Sequence, residues 1–440
     1  MSLLMIGMTA LVGLYMAWNI GANDVANSMA AAVGSNSISV KRAVILAGIC
    51  EFAGAVLVGA CVTDTVRKGI VDPSAISSIP GLAEGEAGAL LAIGMGSALL
   101  AAAMWLNLAT WMGMPVSTSH AVVGAVAGFG IAAAGWSSVH WGKMAQIIAS
   151  WFISPVAGGI LGFTLFTLIS KAILGRERPV PAAARYAPLV AFTVAAVVSL
   201  SILYKGLKHI LAGAEWLTGE RAFLAATGIG LVAMLVSKKL IARRLAGKER
   251  LPLDEQLESV EGVFAPLVVI SSCAVAFAHG ANDVANAVGP LAAVVDIIGS
   301  GAVKMEVHVP FWVLALGGTG IVIGLATYGY KVMHTVGTKI TQLTPSRGVA
   351  ASIAAASTVL VCTKLKLPVS TTHTLVGAVV GIGLARGLAA VNRGVTREIF
   401  KSWVFTVPAA TILTVIFFLL GKWLLLETVR CVVVAAAAGA

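Results

Sequence analysis

Length, composition and charge exclude most classes of soluble protein. The chain of 440 residues is 58% hydrophobic and 11% charged, with 48 glycines and a formal net charge of +11. Soluble domains carry about 25% charged residues and about 45–50% apolar ones. A soluble fold of this length cannot bury so much apolar surface, so the composition predicts a multi-pass protein of the cell inner (plasma) membrane.

Apolar stretches of the roughly 20 residues needed to cross a bilayer as a helix occur along the whole chain. We predict twelve segments, at about 4–31, 42–63, 88–111, 115–134, 144–170, 186–204, 222–237, 264–295, 311–330, 348–363, 368–385 and 402–426. No basic region precedes the first segment, so it is predicted to be a mature helix and not a signal peptide. The fold class is therefore an all-α polytopic membrane protein.

The excess of positive charge is mainly a topology signal. If Lys41 and Arg42 lie in the cytoplasm and the segments alternate, 19 of the 30 Lys and Arg residues fall on the cytoplasmic side. This bias fits the positive-inside rule with both termini outside. The lipid bilayer is thus the expected partner of the chain, and nucleic acid is not.

The cysteines show no pattern typical of a disulfide framework or a metal site. They are odd in number and scattered, and we expect them to be buried small hydrophobic residues. The five are Cys50, Cys61, Cys273, Cys362 and Cys431.

Two motifs occur twice, which indicates that the chain contains two copies of one unit. GANDVAN occurs at 21–27 and again at 280–286, and PVST followed by Ser or Thr and then His occurs at 115–120 and 368–373. The predicted organisation is a transmembrane repeat at 1–173, two linking helices with a basic loop at 174–261, a second repeat at 262–426 and a C-terminal tail at 427–440.

The second copy is predicted to enter the membrane from the opposite side, because seven segments, an odd number, precede it. Inverted-topology repeats with broken or re-entrant helices place matching motifs face to face near the bilayer midplane, where secondary transporters bind substrate. Whether 115–134 and 368–385 cross the bilayer completely is left open by the sequence.

GANDVAN places a carboxylate and two amides within an apolar helix. An ionised Asp at the bilayer centre costs at least about 2.5–3.5 kcal/mol unless it faces a cavity or a cation. Carboxylate and amide oxygens suit an alkali cation, and the preceding glycine permits a helix break that frees carbonyls. Polar contact between helices is the simpler alternative, but the duplication favours a cation site at Asn23, Asp24, Asn27, Asn282, Asp283 and Asn286.

PVST followed by an apolar run predicts a helix start whose first turn is capped by hydroxyl side chains. A helix N-terminus offers free N–H groups and a partial positive charge, which favours an anion. Simple capping is the alternative, although three hydroxyls in two copies exceed what a cap needs. The candidate ligands for a tetrahedral oxyanion are Ser117, Thr118, Ser119, Ser370, Thr371 and Thr372.

Neither motif contains Lys or Arg, so an anion beside two aspartates at low dielectric would be strongly repelled. Cations or protons must supply the balance, which predicts coupled anion–cation symport. Sodium is favoured over protons because amide ligands cannot be protonated.

Five further residues are additional candidates. Glu51 is an intramembrane carboxylate, and Thr110 and Thr363 each offer a hydroxyl five residues before a motif proline. His120 and His373 follow the hydroxyls and would support the cap or sense anion protonation, although a satisfied structural histidine is the simpler interpretation.

On the paired GANDVAN and PVST motifs the sequence resembles the inorganic phosphate transporter (PiT) family over nearly its whole length. The resemblance implies twelve membrane segments in inverted repeats, a homodimer, and symport of inorganic phosphate with sodium or, in other members, with protons. It gives the GANDVAN residues ion-site roles and the PVST hydroxyls phosphate-site roles. It implies a secondary active transporter with alternating access, not an enzyme, that has co-transported sodium and no organic cofactor.

Four alternatives remain at this point. A proton-coupled phosphate symporter or a sulfate permease of the same family would keep the architecture. An intramembrane protease is disfavoured because Ser117 and His120 lie three residues apart and no GxGD or GxSxG motif occurs. A passive channel would not need duplicated, charge-balanced binding sites.

Overall fold

The computed structural model describes residues 2–59, 70–71, 75–76, 78–83, 85–203, 219–300, 309–365 and 369–438, without the side chains of Ser2, Ala26, Thr363, Lys364 and Ala438. Almost all of these residues are helical, and the described part contains one isolated β-bridge, between Val71 and Val139, and no strand. The predicted all-α fold is confirmed.

Six apolar helices make up the first half of the described chain. They are α1 (Ser2–Ile20), α2 (Ala26–Gly34), α3 (Val40–Val58), α4 (Glu86–Trp111), α5 (Thr118–Ala134) and α6 (Trp141–Ile169). Two π-helical segments interrupt the regular geometry: Gly21–Val25 joins α1 to α2, and Ser170–Leu174 extends α6.

Two linking helices lead to the second half, α7 (Pro179–Ile202) and α8 (Gly219–Leu245). The second half consists of α9 (Leu253–Ser300), α10 (Phe311–Tyr328), α11 (Tyr330–His334), α12 (Pro345–Lys364), α13 (Thr371–Ala385) and α14 (Arg393–Ala438). A third π-helical segment, Thr335–Lys339, follows α11. The predicted tail at 427–440 continues α14 as far as Ala438 and buries Val433.

In the part of the chain that the structure describes, nine helical stretches are long and apolar enough to cross a bilayer, and α5 and α13 are shorter apolar helices. Each of the twelve predicted segments overlaps a helix. The number that cross the membrane completely stays a prediction.

Matched glycines bring the two short helices into close contact with two long helices. On α5, a Cβ added at Gly124 or Gly128 would crowd the carbonyls of Val407 and Thr411 on α14. On α13, a Cβ at Gly377 or Gly381 would collide with the carbonyls of Pro155 and Gly159 on α6. Such small-residue contacts let helix backbones approach where water cannot drive association. Each PVST helix therefore packs against the last long helix of the other half.

The glycine of each GANDVAN motif is also a packing position. A Cβ at Gly21 would collide with the carbonyl of Ile321 on α10, and one at Gly280 with the carbonyl of Glu51 on α3. These contacts hold the Gly21–Val25 segment and α9 against helices of the opposite halves. They also fix the level at which the two motifs meet.

The cysteines match their prediction only in part. Cys362 is buried, and Cys50 and Cys273 are half-buried. Cys431 is exposed; it lies on the last part of α14, which the sequence predicted to be a tail. Cys61 lies outside the described residues. The four described cysteines carry free thiols.

Candidate functional site

The two GANDVAN motifs differ in backbone geometry. Asp24 lies in the π-helical segment Gly21–Val25, whereas Asp283 lies within the uninterrupted helix α9. The helix break expected after Gly280 is therefore absent from α9, since that glycine serves close packing against Glu51 instead. In the first copy the departure from α-helix is a π-helical turn, a feature often found at functional sites.

Asp24 is buried, with 3% of its surface exposed, and it is bonded to both PVST motifs. One carboxylate oxygen accepts a hydrogen bond from the Thr118 hydroxyl. The other accepts from the Thr372 hydroxyl at 2.9 Å. The predicted cation motif of one half thus contacts the predicted anion motifs of both halves directly.

The last asparagine of each GANDVAN motif reaches the third hydroxyl of the opposite PVST motif. Asn27 Nδ2 donates to Thr372 Oγ1 at 3.0 Å, and Asn286 Nδ2 donates to Ser119 Oγ at 3.3 Å. These are matching positions of the two copies. The third hydroxyls therefore belong to the same polar network as the amides, despite the change from Ser to Thr.

Asn23 has a different set of partners. Its Nδ2 donates to Thr110 Oγ1 at 2.9 Å and to the Met114 carbonyl at 3.0 Å, and its Oδ1 accepts from the Val116 amide at 3.0 Å. These bonds satisfy backbone groups of the loop between α4 and α5. The structure therefore gives Asn23, with Thr110, a role in positioning the loop that leads into PVST.

The first serine of each PVST motif is an N-cap, as predicted. The side chains of Ser117 and Ser370 accept hydrogen bonds from the amides of His120 at 3.3 Å and His373 at 3.2 Å. Both serines have nearly the same backbone angles, φ −87° and ψ 118° against φ −89° and ψ 121°. The two motifs therefore start their helices with the same geometry.

The imidazole of His279, which the sequence reasoning did not select, lies between three carboxylates. Its Nδ1 is 3.1 Å from both carboxylate oxygens of Glu51. Its Nε2 is 2.6 Å from Asp283 Oδ2 and 3.9 Å from Asp24 Oδ2. All four side chains are buried. Glu51, an additional candidate from the sequence, therefore reaches the site through His279.

The buried carboxylates are close enough to share a cation. The ligand atoms of Asp24, His279 and Asp283 lie within 4.8 Å of one another. Asn282 Nδ2 donates to Asp283 Oδ1 at 2.8 Å, so it orients that carboxylate. Carboxylate oxygens are hard ligands that suit an alkali cation.

A cavity of about 70 Å³ opens beside this cluster. Asp24, Asn27, Asn282 and Thr371 line it together with His279. Ser271 of α9 and two serines of other helices, Ser201 of α7 and Ser352 of α12, extend the polar lining. Among its described lining residues His279 is the one with a basic side chain. The described lining thus holds no Lys or Arg, as in the motifs, but it adds one basic group, His279, that the motifs do not contain.

His120 and His373 pack in a ring cluster beneath the PVST caps. Their ring centroids lie 4.7 Å apart, and His373 stacks on Trp403 at 3.7 Å while His120 lies 4.7 Å from Trp151. His120 Nδ1 and both ring nitrogens of His373 lack a hydrogen-bond partner among the described atoms. Aromatic packing against Trp151 and Trp403 contributes to holding these two side chains. The side chain of Thr363 lies outside the described atoms.

One feature of the sequence indicates that His279 is a candidate site residue. It directly precedes the second GANDVAN motif, where the first copy has Ile20. A histidine and a glutamate within apolar segments each call for a partner. The pairing with Glu51 was hidden because the residues are 228 positions apart.

The chain is similar to proteins that carry phosphate across membranes. The profile of the "Phosphate transporter family" matches residues 20–414. A "Putative phosphate permease" of Pyrococcus abyssi is 45% identical over 93% of this chain and 96% of its own length. An inorganic phosphate transporter of Arabidopsis thaliana, described as chloroplastic, is 41% identical over 93% of this chain and 71% of its own length.

A solved structure has the same fold. It is described as a sodium-dependent phosphate transporter, and it aligns with a TM-score of 0.81 at 39% identity, over 96% of this chain and 99% of that chain.

Proposed function

The chain belongs to the phosphate transporter family, and we propose that it imports inorganic phosphate by symport with sodium ions. One observation carries the proposal: the Asp24 carboxylate accepts hydrogen bonds from a threonine of each PVST motif. Cation ligands and anion ligands thus form one buried site. The likeness to a sodium-dependent phosphate transporter supports the same choice of ions.

The hydroxyl groups of two threonines provide a mechanism that couples sodium binding to phosphate binding. A hydroxyl group has one proton to donate, and in this structure Thr118 and Thr372 donate theirs to Asp24. A sodium ion bound by the carboxylate would compensate its charge and leave both hydroxyl groups free to donate hydrogen bonds to phosphate oxygens. Sodium would therefore prepare the site for phosphate, and phosphate would in turn favour sodium.

The proposed roles follow the contacts. Asp24 and Asp283 hold sodium with the amides of Asn27, Asn282 and Asn286, and Asn23 shapes the loop. The phosphate ligands are the PVST hydroxyls, with the cap serines orienting the helix N-termini toward the anion. They are Ser117, Thr118, Ser119, Ser370, Thr371 and Thr372.

We further propose that the repeats 1–173 and 262–426 have inverted topology, and that their movement opens this site alternately to the two sides of the membrane. The protein is proposed to be a homodimer in the inner membrane with both termini outside. The crossed amide–hydroxyl pairs of Asn27 and Asn286 support the repeats. So do the matched glycine contacts of α5 and α13.

Proton coupling is the second candidate, and His279 favours it. A titratable imidazole in contact with Glu51 and Asp283 is a group that can carry a proton through the site.

Radiolabelled phosphate uptake into proteoliposomes tests the proposal. We expect uptake driven by a sodium gradient, lost when choline replaces sodium, and reduced by unlabelled phosphate but not by sulfate. Uptake that follows a pH gradient without sodium would establish the second candidate. Competition by sulfate in place of phosphate would make the protein a sulfate permease.

The site assignment is tested by Asp24→Asn and Asp283→Asn. Both variants remove a carboxylate charge and keep its volume, so sodium-driven phosphate uptake should be abolished or strongly reduced in each. Lys143→Gln, an exposed position on α6, is the control for handling and reconstitution. Normal sodium dependence in both aspartate variants would overturn the assignment.

A further inference from the structure

A second pocket, of about 490 Å³, lies outside the site described above. It is formed by the end of α4, the end of α2 and the segment that follows α10. The residues that give it chemical character are Trp111, Lys331, His334, Thr335, Thr338 and Lys339. No acidic residue is among the described residues that line it.

The cations of this pocket have no carboxylate partner. Lys331 Nζ donates to the Tyr328 hydroxyl at 3.0 Å and lies 4.5 Å from the centre of that ring. Lys339 is exposed, and neither lysine forms an ion pair within the described part of the chain. The hydroxyls of Thr335 and Thr338 donate to helix carbonyls. The two lysines, aided by His334, are therefore the groups available to an anion.

The surroundings place the pocket at a membrane–water interface. Lys331 lies three residues beyond the end of the apolar helix α10. Trp111 and Tyr330, 64% and 52% exposed, lie at its rim, and exposed Trp and Tyr concentrate at the headgroup level. Basic pockets between helices on the cytoplasmic side bind phosphate-bearing headgroups. The neighbouring Lys41 and Arg42 are predicted to be cytoplasmic.

Packing contacts and a hydrogen bond link the pocket to the proposed transport site. Gly113 lines it, and a Cβ at Gly113 would lie 3.3 Å from Thr335 Oγ1. The next residue, Met114, accepts the hydrogen bond from Asn23 through its carbonyl. On the other side, Gly337 packs against the carbonyl of Ala30 on α2. An anion held here would therefore contact the end of α2 and the start of the loop that Asn23 hydrogen-bonds.

We propose that this pocket is a second phosphate-group site, separate from the transport site, in which Lys331 and Lys339 bind either the phosphate of an anionic phospholipid headgroup or free inorganic phosphate. The site is regulatory, because its ligand stabilises the α4–α5 loop and α2 in the arrangement seen here. The apolar rim beside the lysines suits a phospholipid. The volume and positive charge of the pocket suit both a phospholipid headgroup and free phosphate.

Accessibility of a cysteine in the pocket tests the proposal. Thr338→Cys, made in a variant whose five native cysteines are replaced by alanine, is labelled with a soluble maleimide in proteoliposomes. Its phosphate uptake shows that the variant is folded. One arm uses phosphatidylcholine vesicles with and without inorganic phosphate, and the other compares phosphatidylcholine with phosphatidylcholine–phosphatidylglycerol vesicles in the absence of phosphate.

Slower labelling in the phosphatidylglycerol vesicles assigns the site to lipid, and slower labelling with phosphate assigns it to the free anion. In the Lys331→Gln/Lys339→Gln background the protection should be lost, since each lysine removed is expected to weaken binding about fivefold. The matched background Lys143→Gln/Lys422→Gln, with both residues exposed and outside the pocket lining, should keep it.

Labelling that is equally fast in all vesicles, or protection that persists without Lys331 and Lys339, would overturn the proposal. The second outcome would mean that a conformational change at the transport site, and not an anion in the pocket, protects the cysteine.

Discussion

At the residue scale, Asp24 is the side chain on which both halves of the molecule converge. It accepts hydrogen bonds from Thr118 of one PVST motif and Thr372 of the other, and it lies 3.9 Å from the His279 ring nitrogen. A buried carboxylate is costly unless it is bonded or neutralised. The two hydroxyls stabilise it in this structure. In the proposed mechanism a cation replaces them when they donate their hydrogen bonds to phosphate instead.

The two third hydroxyls should differ in importance. Thr372 both accepts from Asn27 and donates to Asp24, whereas Ser119 accepts from Asn286 alone among its described bonds. Hydrogen bonds to charged groups contribute about 1.5–3 kcal/mol and neutral ones about 0.5–1.5 kcal/mol. Thr372→Val should therefore reduce uptake at low phosphate by roughly 10- to 100-fold, and Ser119→Ala by less. Equal losses in the uptake assay would contradict these contacts.

At the scale of elements, the short helices α5 and α13 are held by glycine contacts with α14 and α6. Close backbone approach leaves no room for a side chain at these positions. Since the PVST hydroxyls lie at the first turns of α5 and α13, the packing of these helices sets the geometry of the proposed anion site.

Gly381→Ala tests that packing. Its Cβ would collide with the Gly159 carbonyl, and overpacking typically costs about 1–3 kcal/mol. We expect a lower melting temperature in detergent, followed by tryptophan fluorescence, together with reduced uptake. Gly142→Ala on α6 is the matched control, because nothing lies within 4 Å of its added Cβ. Identical melting of the two variants would show that α13 and α6 are not held by this contact.

The elements also show what the sequence could and could not predict. The repetition of GANDVAN and PVST located residues that meet around Asp24, because motifs that a chain repeats in two places are candidates for one shared site. The contacts of Asn23 and His279 could not be predicted from the motifs. Their partners, Thr110, Met114 and Glu51, lie in segments that pattern alone does not bring together.

At the scale of the whole molecule, residues from both halves that carry the repeated motifs meet around Asp24, with α7 and α8 between the halves in the chain. The linking helix α7 contributes Val194 and Ser201 to the wall of the cavity at the site. The surroundings of the site are therefore not symmetric, and the same holds for its residues, since Glu51 and His279 form a polar pair on one side only. Ile20 occupies the position in the first motif that His279 has in the second.

The predicted topology has both termini on the same, outer side of the membrane. Fusions at each end report this directly, because alkaline phosphatase is active only outside and green fluorescent protein is fluorescent inside. We expect active phosphatase and dark fluorescent protein at both ends, as twelve crossings require. A fluorescent fusion at one end alone would mean an odd number of crossings, and the inverted-repeat proposal would have to be revised.

Equilibrium binding of phosphate to the purified protein tests the central claim most directly. If sodium on Asp24 frees the hydroxyls of Thr118 and Thr372 to bind phosphate, the dissociation constant of phosphate should fall as the sodium concentration rises. The dissociation constant of sodium should fall by the same factor when phosphate is bound. Asp24→Asn should remove this dependence. A phosphate affinity that is the same in sodium and in choline would contradict the account.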